Sequence, residues 1–94
     1  MELKERASII SSQIKSGNIP NPTELLFFSD LDVDPYPITG NVVFSELRQV
    51  GHDYNARVCV TIKNYKGHPS FSQWVTLVEL VGNNPEWAKS IISD

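Results

Sequence analysis

Asp30, Asp32 and Asp34 alternate with Leu31 and Val33. In an extended backbone this spacing places three carboxylates on one side of the chain and two apolar side chains on the other. Carboxylates grouped this way can hold a divalent cation, prime a phosphoryl transfer, or offer a negative face to a basic partner. The cation reading fails on spacing. A calcium loop starting at Asp30 needs glycine at its sixth position and a bidentate glutamate at its twelfth, and this chain has Pro35 and Asn41 there.

The phosphoryl-transfer reading has one motif behind it. Leu25-Leu26-Phe27-Phe28-Ser29-Asp30-Leu31-Asp32 resembles, over about eight residues, the nucleophile motif of the haloacid dehalogenase family, an apolar strand followed by Asp-x-Asp. The resemblance implies a parallel sheet with crossover helices, each unit taking about 30 residues or more. The rest of the chain is patterned for antiparallel strands, so the reading is set aside. What is left is recognition: an acidic edge can dock an Arg/Lys patch and speed association. The competing reading is a solvated loop whose aspartates cap turns.

No other residues of catalytic type are spaced for chemistry. His52 and His68 sit in turn-forming segments, and His52, Asp53, Cys59 and His68 lack the spacing of a metal site, which needs about three ligands in fixed geometry. Cys59 has no Cys-His signature around it and reads as a small packing residue. No serine lies in a nucleophile elbow, and the five glycines are scattered singly, so none builds a phosphate cradle. The expectation is a protein that is not an enzyme and has no cofactor and no metal. One cationic set remains. Arg57, Lys63 and Tyr65 alternate outward on one strand-like run, and Phe44 and Arg48 add to that face, with Glu46 among them. Basic residues interleaved with aromatics on a sheet can bind single-stranded nucleic acid.

Composition bounds these readings. The chain has 94 residues, a net charge of −3 and a pI near 5.2. The length suits one domain over 1–94, and the acidic balance makes nucleic acid the lesser expectation. A single cysteine excludes an internal disulfide. The first residues lack the apolar core of a signal peptide, and no apolar run approaches the ~18 residues of a membrane helix. The expected location is the cytoplasm.

The elements that must position these groups read as α+β. Residues 2–16 carry Leu3, Ala7, Ile10 and Ile14 at helical spacing, with Gly17 as a stop. Asn21-Pro22-Thr23-Glu24 is a helix-start signal, which favours a short helix over 22–28; a strand from Leu25 toward Val33 competes. Asp34-Pro35-Tyr36-Pro37 breaks regular structure. Three strand-like runs follow, Val42–Val50, Ala56–Tyr65 and Phe71–Val81, joined by short turns and so read as an antiparallel meander. Val58, Val60 and Ile62 mark its core face. Asn84-Pro85-Glu86 opens a last helix.

The run Phe71–Val81 is apolar on both faces, so something must cover it: the 25–33 segment, a helix, or its own copy in a homodimer, through Trp74, Thr76 and Val78. The function expected from all this is protein–protein contact, of the kind small inhibitors, immunity proteins and anti-defence proteins of phages and mobile elements make. Asp30, Asp32, Asp34 and Tyr36 are the expected contact residues, meeting a basic patch on the partner. No membrane partner is expected.

Overall fold

In a computed structural model, residues 2–19, 23–30, 36–49 and 51–92 are described. They form an α+β fold in which a four-stranded antiparallel meander carries helices on one face. The first helix, α1, spans Leu3–Lys15. It ends where Gly17 adopts φ +74° and the Gly17 and Asn18 N–H groups return to the Ile14 and Gln13 carbonyls, a Schellman closure that needs a left-handed residue at this place. Ala7 and Ile10 are fully buried and make its packing stripe.

The short helix expected over 22–28 does not form. Thr23–Phe27 is a strand, β1, and Leu25 and Phe27 point inward while Glu24 and Leu26 point out. A seven-residue helix would carry a nucleation cost with few propagating turns. Pairing with the next strand, with Leu25 opposite Gly40 and Phe27 opposite Ile38, instead buries two large side chains. Asn21 and Pro22 lie outside the described residues.

That second strand, β2, runs Ile38–Arg48, and β3 runs Arg57–Tyr65. Gly40 of β2 is required by close approach: a Cβ there would lie 2.6 Å from Val60 Cγ1 and 2.7 Å from Phe27 Cε1. A short 3-10 turn, Asp53–Asn55, lies between β2 and β3. Val58 and Val60 are fully buried and Ile62 packs against the core, so the expected core face holds.

The expected strand Phe71–Val81 divides in two. His68–Thr76 is strand β4, joined to β3 through Lys66 and Gly67, both at positive φ. Leu77–Asn83 is helix α2, followed by α3 over Pro85–Ile92. The apparent two-sided apolarity was a change of period. Val75 faces inward from the strand, while Leu77, Leu80 and Val81 recur at helical spacing and are buried. Thr76 caps α2, its Oγ1 accepting from the Glu79 N–H at 3.2 Å. Trp74, Thr76 and Val78 therefore do not form one pairing strand, because Val78 belongs to α2.

The core lies between the inner sheet face and the helices: Leu25, Phe27, Val42, Phe44, Val58, Val60 and Val75 against Ala7, Ile10, Leu77, Leu80, Val81 and Ala88. No helix among the described residues is long and apolar enough to cross a membrane.

Candidate functional site

The sheet is curled enough for its two edges to be tied by side chains. β1 is an edge strand, so its outward backbone groups, on every second residue, need partners. Asn84, between α2 and α3, accepts from the Leu26 N–H with Oδ1 at 2.9 Å and donates to the Leu26 carbonyl with Nδ2 at 2.9 Å. Two residues on, the Phe28 N–H hydrogen-bonds the Glu79 carboxylate. Gln73, on the inner face of β4, donates to the Phe28 carbonyl and accepts from the Asp30 N–H, both at 2.9 Å. Three side chains thus do for residues 26, 28 and 30 what a neighbouring strand would do.

The surroundings of Glu79 on balance disfavour its charged form. Burial pushes its pKa up, the Asp30 charge adds to the rise, and the Phe28 N–H opposes it. Its Oε2 is buried without a donor. Asp30 itself is exposed and Tyr36 is 74 % exposed. Asp32 and Asp34 lie outside the described residues.

The outer sheet face carries the most developed site. Arg48 and Arg57 are direct cross-strand partners at one end of β2 and β3. A register irregularity puts them there: between the pairs Val43–Cys59 and Arg48–Arg57, β2 advances from 43 to 48 while β3 moves back only from 59 to 57. The extra residues form a bulge, which re-aims the side chains beyond it. Sequence reasoning had Phe44 and Arg48 sharing the outward face. The bulge separates them. Phe44 is buried, with its ring stacked on Trp87 at 6.1 Å, while Arg48 turns outward and lies over Trp74 with its guanidinium 4.1 Å from the ring centroid.

Arg48, Asn55, Arg57, Trp74 and Thr76 line a concavity of about 600 Å³. No carboxylate pairs with either arginine among the described residues. Like charges directly opposite on neighbouring strands disfavour the sheet, so this pair is a local cost to the fold. Trp74 and Thr76 are the residues of this site that sequence reasoning placed elsewhere, in a dimer strand. The structure sets Trp74 opposite Cys59, an outward position, by a strand register that the sequence does not show.

The other expected aromatic of that face, Tyr65, rests on Phe71 with 5.5 Å between ring centroids, and Lys66 sits over it. Cys59 is a free, half-buried thiol. His52 stacks on Tyr54 at 5.2 Å. No group of three or more His, Cys, Asp or Glu able to hold a metal ion occurs among the described residues.

A second concavity of about 370 Å³ opens between β1 and the start of α3, lined by Glu24, Leu25, Leu26, Asn83, Asn84, Pro85, Glu86 and Trp87.

No family model, curated protein or solved structure matches this chain.

Proposed function

We propose that the protein works by binding a partner protein, with no bond made or broken, and that the outer sheet face at Arg48, Arg57 and Trp74 receives an acidic segment of that partner. The observation carrying this reading is the cross-strand arginine couple, without a paired acid among the described residues, set in a concavity with an aromatic wall. Two arginines opposite each other on neighbouring strands, with no acid paired to them among the described residues, are matched by carboxylates approaching from outside. Arginine and tryptophan in a hollow are also the side chains that dominate binding energy at protein interfaces. A protein partner is favoured over single-stranded nucleic acid because successive bases need a row of stacking faces. Here Phe44 is committed to the core and Tyr65 to Phe71, which leaves Trp74, with Arg48 over its ring.

A second contact is proposed at Asp30 and Tyr36, for a basic patch on the partner; the exposure of Tyr36 favours it. Pairing of β4 with its copy stays a proposal that rests on β4 being the last strand of the sheet. A cytoplasmic location suits a chain with one unpaired cysteine.

The test compares wild type with Arg48→Glu/Arg57→Glu and Trp74→Ala in binding to acidic peptides and to single-stranded oligonucleotides at low and high salt. Acidic-peptide binding that the arginine reversal abolishes supports the reading. Salt-sensitive oligonucleotide binding lost in the same variants would reassign the face to nucleic acid. Indifference of both ligands to the arginines would refute an anion-recognition role.

A further inference from the structure

We propose that the groove between β1 and α3 docks an extended segment of a partner protein bearing an apolar side chain flanked by lysine or arginine. Three independent features of the groove support it.

The first is its surface chemistry. Leu26, 37 % exposed, Pro85 and Trp87 form an apolar floor. Trp87 is held flat by Phe44, whose ring lies 6.1 Å away and nearly parallel, so little side-chain freedom is lost when something lies on it. The second is charge. The ionisable residues among the described lining are Glu24, half-buried, and Glu86, exposed, with no basic residue beside them there. An apolar floor with an acidic rim is complementary to an apolar anchor with basic flanks.

The third is the β1 edge. Its outward groups at residues 26, 28 and 30 are taken by Asn84, Glu79 and Gln73. Continuing the alternation one step back puts the outward N–H and C=O of Glu24 in the groove wall, next to the Asn84 clasp. No described residue takes them. Asn84 already pairs with both backbone groups of Leu26, as a strand residue would. A peptide continuing that line would pair with Glu24 by strand addition and lay its next side chain across Leu26 and Trp87. Asn83 belongs to the same wall, and its Nδ2 is buried without an acceptor.

This site is separate from the arginine face and does not depend on it. The test pans a random displayed peptide library on wild-type protein and on Glu24→Lys/Glu86→Lys. Both glutamates are exposed, so the variant should keep its fold, and circular dichroism checks this. The expected consensus is one apolar residue between basic ones, with affinity falling about tenfold or more on charge reversal. Binding should also perturb Trp87 fluorescence in a Trp74→Phe background, where Trp87 is the sole tryptophan. Arg48→Glu/Arg57→Glu should leave this binding intact, which separates its failure from failure of the anion face. No enrichment, a consensus without basic residues, or equal binding to the charge-reversed protein would each overturn the proposal.

Discussion

Asn84→Ala is the most informative single change in this fold. Its carboxamide makes three hydrogen bonds of 2.9 Å: from the Leu26 N–H, to the Leu26 carbonyl and to the Leu80 carbonyl. A typical net contribution is about 1 kcal/mol per bond. The two bonds to Leu26 lie where water can partly replace them, so the expected loss is about 2 kcal/mol rather than 3. For a domain of this size that lowers the thermal midpoint by roughly 8–16 °C. Asn84→Asp should be at least as damaging. It keeps an acceptor for the Leu26 N–H but turns a carboxylate oxygen toward two carbonyls. Asn83→Ala is the control, because that neighbour's Nδ2 has no acceptor to lose. Urea denaturation gives the global figure and amide exchange the local one. If opening of the β1 edge follows the clasp, exchange at the Leu26 N–H should accelerate about thirtyfold for 2 kcal/mol. Asn84→Ala within about 0.5 kcal/mol of wild type, with Leu26 exchange unchanged, would refute the idea that this side chain substitutes for a strand.

Three further outcomes are expected. Gly40→Ala should destabilise by about 1–2 kcal/mol in urea titrations, because overpacking at 2.6 Å from Val60 and 2.7 Å from Phe27 outweighs the chain-entropy gain; an unchanged midpoint would contradict that packing. Arg57→Glu should raise stability by up to about 1 kcal/mol, since a like-charged cross-strand pair becomes an ion pair, and should abolish acidic-peptide binding. Glu79→Gln should flatten the pH dependence of stability. The folded pKa lies above the ordinary value of 4.5, so the folded state holds this proton more tightly. Its contribution is therefore present at low pH and lost as pH rises through the raised value. The glutamine variant should then gain on wild type toward neutral pH, and parallel stability–pH curves would refute this.

Much of the architecture was legible because local signals agreed with tertiary demands. The stripe Ala7-Ile10 and the stop at Gly17 gave α1, the Val58-Val60 alternation gave β3 and its buried face, and Asn84-Pro85 marked the start of α3. Two elements were misread for physical reasons. Asn21-Pro22-Thr23-Glu24 is a sound helix start, but the burial of Leu25 and Phe27 against β2 and the core outweighs a local signal over so short a segment. The run to Val81 hides a switch from period two to period 3.6. A signal was present: Thr76-Leu77-Val78-Glu79 has the spacing of a capping box. The arginine site was half visible. Arg48 and Arg57 were placed on one face by alternation, but alternation also put Phe44 there, because a bulge leaves no mark in the period-two pattern. The clasp of Asn84, Glu79 and Gln73 could not be read at all, since it joins positions 58, 51 and 45 residues from the backbone they grip, by hydrogen bonds from amides and an acid that any loop might contain.

The two concavities share a logic that net charge conceals. A chain of −3 keeps two arginines opposite each other on neighbouring strands of its outer face and two glutamates around an apolar groove at β1. Natural sequences tend toward mutual support among their local choices, so departures without a compensating contact are where roles outside the fold are sought. The clasp is a departure with compensation, because each polar side chain used satisfies the edge of β1. Among the described residues the arginine couple has no acid between its charges, and its one compensating contact is Arg48 over the Trp74 ring. If Arg57→Glu proves more stable than the natural residue, folding does not account for the arginine. A stability cost at that one position, in a hollow faced by tryptophan, would then count in favour of the anion-recognition role proposed for this face.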